Sequence, residues 1–162
     1  MNRNSLRKME DSEIIDINGG ALYEGYNGVI CSPFVLGKIP DEIRKAVKAA
    51  YMSQQVVAEH MKPGALSTEL YKIYSNFLEK EGYRQFSPYG SVHSLGMLEC
   101  ETPFFSAHRD VEMIENMVIA VDVYFKNLPW GSFRIEDTYI IRKDGAELAT
   151  QFNKSFIPQL FL

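Results

Sequence analysis

Three observations predict an α+β fold for this chain. Alternating apolar and polar residues near the N-terminus read as strands, two helical stripes follow, and β-branched runs at 117–125 and 133–138 read as a second set of strands. With 162 residues, 46% of them hydrophobic, the chain is expected to bury one core as a single domain.

The elements follow in order. Residues 1–12 are polar and charge-mixed and read as a flexible lead. Segments 13–18, 21–26 and 29–36 read as strands punctuated by Gly19-Gly20 and Asn27-Gly28. Pro40, followed by Asp41 and Glu42, opens a helix of about twenty residues, since proline suits a first turn and acids favour the N-terminal dipole. Its stripe is Ile43, Val47, Ala50, Tyr51, Gln54, Val57, Ala58 and Met61, and Lys62-Pro63-Gly64 ends it. Ser67 is placed to cap a second helix carrying Leu70, Ile73, Tyr74, Phe77 and Leu78, which stops near Gly82. Met117 to Phe125 is a strand with Asp122 at its centre. Phe133 to Thr138 is another, and the Asp144-Gly145 turn starts a short return strand. The domain is expected to span 13–150, with 151–162 as a tail, and the two helices to cover a bent antiparallel sheet.

Composition narrows the function. A net charge of −4 and pairs at most of Lys and Arg exclude a nucleic-acid surface. No apolar run approaches a membrane span, and no h-region of a signal peptide is present. Two cysteines, Cys31 and Cys100, make no disulfide framework and fit a reduced, cytoplasmic protein.

The chemistry-bearing residues lie on the later strands. Period two puts Arg134, Glu136 and Thr138 on one face, and Phe133, Ile135 and Asp137 on the other. A carboxylate in an apolar strand needs a cation, metal or donor; an exposed edge with a salt bridge to Arg134 is the plainer reading. His93, Asp122 and Glu136, each on a separate strand-like segment, are able to converge as metal ligands or acid–base groups.

The string His93-Ser94-Leu95-Gly96-Met97-Leu98-Glu99-Cys100-Glu101-Thr102-Pro103, then Asp122, then Arg134-Ile135-Glu136-Asp137-Thr138 with a trailing Asp144-Gly145, resembles the second half of the pita-bread superfamily. That superfamily holds methionine aminopeptidases, Xaa-Pro aminopeptidases, prolidases and creatinase. The resemblance implies a half of that fold, whose other half is expected from a longer chain, a first-half partner or a second copy. Tyr124, Phe125, Trp130 and Phe133 are the candidates for such a contact.

Carried over residue by residue, the resemblance places the metal-binding His at His93, a carboxylate ligand at Asp122 and the bridging Glu at Glu136. The first Asp ligand falls on Asn18, counted back from Tyr23-Glu24-Gly25-Tyr26, and the bridging Asp falls on Val29. Asp16 takes the first role only if the chain carries a two-residue local insertion. The family's substrate-contacting His falls on Cys100, beside a retained Glu101. An amide is a weak ligand for a hard dication and Val is none, so at most one divalent metal (Mn, Co, Zn or Fe) is expected, on His93, Asp122 and Glu136. Cys100 reads as a buried structural thiol more readily than as a nucleophile. His60 and His108 read as helix-end and loop residues.

Two functions fit. In one, His93, Glu101, Asp122 and Glu136 form the catalytic set of a C–N bond hydrolase resembling Xaa-Pro peptidases and creatinase, metal-free or with one metal, acting on a small peptide-like or amidino substrate. In the other, the fold is an inactive binding or scaffold module, as in the pita-bread domain of a histone chaperone.

Overall fold

The computed structural model describes residues 6–162. Six strands form one antiparallel sheet: β1 (Ile14–Tyr23), β2 (Tyr26–Val35), β3 (Val92–Ser94), β4 (Val118–Leu128), β5 (Gly131–Arg142) and β6 (Gly145–Leu148). Their order is β1-β2-β5-β4-β3, with β6 also paired to β5. Helices α1 (Asp41–Ala58), α2 (Ser67–Glu81) and the short α3 (Phe152–Phe156) complete the α+β arrangement. Residues 1–5 of the expected lead lie outside the described residues, and Ser12 already donates its N–H to the Leu36 carbonyl at 2.7 Å.

The first strands are longer than their punctuation suggests. Gly19-Gly20 and Asn27-Gly28 stay inside the ladder, with Gly20 opposite Val29 and Ala21 opposite Gly28. The break falls instead at Glu24-Gly25, where both residues have positive φ (48° and 88°), the backbone of a two-residue hairpin loop whose twist matches the strands. Glycine weakens a strand without ending it, so a partner strand overrides the local signal.

The helices bury the stripes their periodicity assigns. Ile43, Val47, Ala50, Val57 and Met61 of the first stripe are all 2% exposed or less, and Leu70, Tyr74 and Leu78 line the second. Gln54 sits in the first stripe and is fully buried because its amide donates to the Val121 carbonyl at 3.1 Å. Gly82 ends α2 in a left-handed conformation, φ 78°. Ser67 does not cap α2. Its hydroxyl donates to the Arg109 carbonyl at 2.7 Å and accepts from the Val111 N–H, tying down the segment that walls the pocket described below.

Two groups of residues sit where the sequence does not put them. Phe125 and Phe133 are fully buried, packed edge to face at 5.4 Å, with Tyr83 stacked on Phe125 and Trp130 on Phe133, so these aromatics close a core rather than offering a contact surface. Residues 151–162, set apart above as a tail, instead pack as α3 and a 3₁₀ turn (157–160), with Asn153, Ile157 and Leu160 buried.

Candidate functional site

Strand alternation and register bring three predicted residues together. Asp122 on β4 stands directly opposite Glu136 on β5, and β3 pairs with β4 so that His93 faces Ala120, one side-chain step along the same face. His93 Nε2 lies 3.2 Å from Glu136 Oε1, and Cys31 Sγ on β2 donates to Glu136 Oε2 at 3.0 Å. Glu136 is 1% exposed. Burial pushes its carboxyl up, but the His93 and Cys31 hydrogen bonds outweigh that and leave it below its ordinary value. The imidazole answers in kind. Burial pulls it down, yet the Glu136 and Ser94 carbonyl contacts hold it above its ordinary value. Both ring nitrogens face acceptors, Nδ1 the Ser94 carbonyl at 3.2 Å, which only the doubly protonated ring can serve.

Asp122 has a different set of partners. Tyr89 donates its hydroxyl to Oδ2 at 2.9 Å, and Arg134 Nε lies 3.2 Å from Oδ1. Arg134 also donates to the Tyr89 oxygen at 2.9 Å and lies over the Tyr124 ring, 5.1 Å from its centroid. The Asp122 carboxyl is nevertheless pushed up to about 6, by burial first and by Glu136 second, against the opposing pull of Arg134. Asp16, on β1, is likewise raised to about 6 by burial, with the Arg134 backbone and guanidinium opposing. A carboxyl poised there is able to take up or release a proton near neutrality.

The remaining predicted residues are placed elsewhere. Glu101 is not with the three: its carboxylate folds back on its own loop, accepting the Leu98 N–H at 2.9 Å and lying against Gly96, where a Cβ would meet Oε1 at 2.2 Å. Asn27 grips the same loop from β2, its amide donating to the Gly96 and Met97 carbonyls at 3.1 and 2.9 Å. Held at both points, the loop presents Glu99 to the site. Ligand atoms of His93, Glu99 and Glu136 lie within 4.8 Å of one another, the one such group among the described residues. Glu99 therefore stands where Asp122 was expected in the ligand set. Cys100 is exposed rather than buried, its thiol raised by partial desolvation and then by Glu99. Asn18 is exposed opposite Cys31. Val29 is 7% exposed and packs with Leu95 and Ala120, and the backbone N–H and carbonyl of Val29 are both engaged by the Thr138 hydroxyl.

These groups open into a cavity of about 550 Å³ whose lining includes Tyr89, Ser91, His93, Glu99, Cys100, His108, Asp122 and Arg134. The Ser91 hydroxyl is buried without a protein hydrogen-bond partner, and Asp122 Oδ1 has only the Arg134 ion pair. Sequence reasoning missed Tyr89, Ser91 and Glu99. All three sit in loops, where no periodicity reports the direction of a side chain.

A bent antiparallel sheet under helices, with His, Asp and Glu converging from three strands, defines a pita-bread half. The profile of metallopeptidase family M24 matches residues 1–143, and the chain belongs to that family. It is 28% identical over 155 residues to an Xaa-Pro dipeptidase of Pyrococcus horikoshii, covering 94% of this chain and 44% of that one. It is 31% identical over 146 residues to an uncharacterized peptidase of Methanocaldococcus jannaschii, covering 86% of this chain and 40% of that one. The crystal structure of the Pyrococcus horikoshii prolidase superposes with a TM-score of 0.83 at 28% identity, over 89% of this chain and 42% of that chain. The N-terminal domain of a FACT complex subunit from Cicer arietinum shares the fold, with a TM-score of 0.80 at 22% identity over 90% of this chain and 39% of that one. The chain spans less than half the length of the curated relatives it matches.

Val29, sealed among Leu95 and Ala120, offers no ligand atom. A single ion does fit the donor set of His93, Glu99 and Glu136, one imidazole and two carboxylates, provided His93 gives up its Nε2 proton.

Proposed function

We propose that this chain carries a prolidase-type cleft for a small peptide-like or amidino ligand, acting on its C–N bond with at most one divalent ion. The observation that carries the reading is the convergence of His93, Glu99, Asp122 and Arg134 on one cavity of about 550 Å³, a concave site with several polar groups in its lining. Asp122 is the acid–base candidate, and Tyr89 and Arg134 hold it. His93 and Glu136 supply either a charged hydrogen-bonding pair or, with Glu99, the ligands of one Mn, Co, Zn or Fe ion. Glu101 acts by shaping the loop that carries Glu99. The family's shared chemistry supports hydrolysis.

A binding or scaffold role is the second reading. It is favoured by the degree to which Glu136 and Asp122 are already engaged by protein donors. Exposed Ile17, Leu22, Tyr23, Tyr26, Met97, Leu98 and Phe104 suit contact with a first-half partner or a second copy. The unpaired thiols Cys31 and Cys100 suit a reducing cytoplasm.

The deciding experiment is equilibrium dialysis against each metal, followed by Xaa-Pro dipeptide cleavage assayed with and without it. One equivalent or none, with cleavage that Asp122→Asn abolishes, is expected. Two tightly held equivalents would overturn the site as drawn, and dipeptide binding without cleavage would leave the scaffold reading.

A further inference from the structure

The sheet has its shortest ladder where the site needs it to be fixed. Strand β2 meets β5 through one residue pair, Cys31 opposite Glu136, and these two residues meet again through the Cys31 thiol and the Glu136 carboxylate. Side chains supplement the backbone at that pair. Thr138 fills one side, its hydroxyl both donating to the Val29 carbonyl at 2.9 Å and accepting the Val29 N–H at 3.3 Å. Asn153 of α3 bridges the pair itself. Its single amide nitrogen donates to the Cys31 carbonyl at 2.9 Å, the Glu136 carbonyl at 3.2 Å and Asp137 Oδ2 at 3.1 Å, while Asn153 Oδ1 accepts the Ser32 hydroxyl.

We infer that Asn153 is a positioning residue of the site, a clamp by which the C-terminal segment fixes the separation of Cys31 and Glu136. Only an amide suits the place. Two backbone carbonyls and the Asp137 carboxyl share the two amide hydrogens, while Ser32 calls for an acceptor, and Asn offers both in one plane. Asn153 is fully buried, so each of these groups would lose its partner with no water to replace it. The gap it sets determines how Cys31 reaches Glu136 Oε2, which leaves Oε1 for His93. The clamp operates whether the site cleaves, binds or holds a metal, so its failure and the failure of the proposed function are separable.

Thiol labelling of Cys31 tests it in the full chain carrying Cys100→Ser, which removes the exposed thiol. Labelling rates are followed against urea without metal. Cys31 is 3% exposed, so the parent is expected to label only through global unfolding, with a steep urea dependence. Asn153→Leu is expected to label at least about tenfold faster in the absence of urea and with a shallow dependence, because opening at the β2–β5 junction exposes little additional surface. Ile157→Val, on the same C-terminal segment, supplies a control that loses packing without touching the clamp. A steep slope in Asn153→Leu, matching that control, would reduce Asn153 to a general contributor to stability and overturn the inference. If Asn153→Leu does not fold, Ser32→Ala, which releases only the amide's oxygen, is judged by the same slope.

Discussion

Placing carboxylates at the two expected ligand positions, Asn18→Asp with Val29→Asp, puts the reading of the site at risk. Val29 is 7% exposed among Leu95 and Ala120, so the substitution first removes a buried Val worth about 1.5–3 kcal/mol. Burial then holds the new carboxyl protonated at neutral pH, about 3 units above its ordinary range, at about 1.4 kcal/mol per unit. A loss of about 6–7 kcal/mol is of the order of the whole stability of a domain, and corresponds to a fall in Tm of about 12–28 °C at this chain length. Metal should reverse part of it. An ion present at a hundred times its Kd returns about 2.7 kcal/mol, or roughly 5–11 °C. Calorimetry of the double variant after chelation, then with Mn²⁺ added back, reads both numbers, and dialysis reads the stoichiometry. A metal-free Tm within about 2 °C of the parent would mean that position 29 is wet, and the argument from Val29 would fail.

Asp122→Asn tests the raised carboxyl. The folded chain holds the Asp122 proton until about pH 6, against 3.8 for the free group, so its stabilising contribution is complete below 3.8 and is lost as pH rises through 6. The stability of the parent relative to the variant should therefore fall by about 3 kcal/mol between pH 3.5 and 7.5 in metal-free urea titrations, and a flat difference would contradict the burial of this carboxyl. Phe133→Ala, in a fully buried aromatic stack, is expected to cost about 3–5 kcal/mol in urea unfolding; a cost under about 1 would place that stack outside the core. Sedimentation velocity should show association that rises with concentration, given the exposed Leu22, Tyr23, Tyr26, Met97 and Phe104, and a clean monomer at every concentration would remove the partner proposal.

Much of this was legible in the sequence for reasons that can be named. Helical spacing found the buried face of α1 down to Gln54, because a stripe three and four residues apart has one geometric solution. Period-two alternation placed Glu136 and Arg134 together, and Asp122 followed once the strands were paired. The hairpin boundary was misread because Gly19-Gly20 carries a strong local signal that ten ladder pairs override. Glu99 escaped because its direction depends on a loop gripped by Asn27 and Glu101, contacts spanning up to 70 positions. Asn153 escaped for the same reason, its partners lying 122 residues away at Cys31 and beside Glu136.

The stacking of Arg134 over Tyr124, with Asp122 and Tyr89 bracing the guanidinium, bears on kinetics as well as on geometry. A long side chain that would otherwise sample many rotamers is ordered before any ligand arrives, so that ordering entropy is absent from the binding step. Encounter should then be a single process, with an observed rate linear in ligand concentration and no slow isomerisation behind it. Ligands of similar charge would arrive at similar speeds, and the differences among them would appear in how long each one stays.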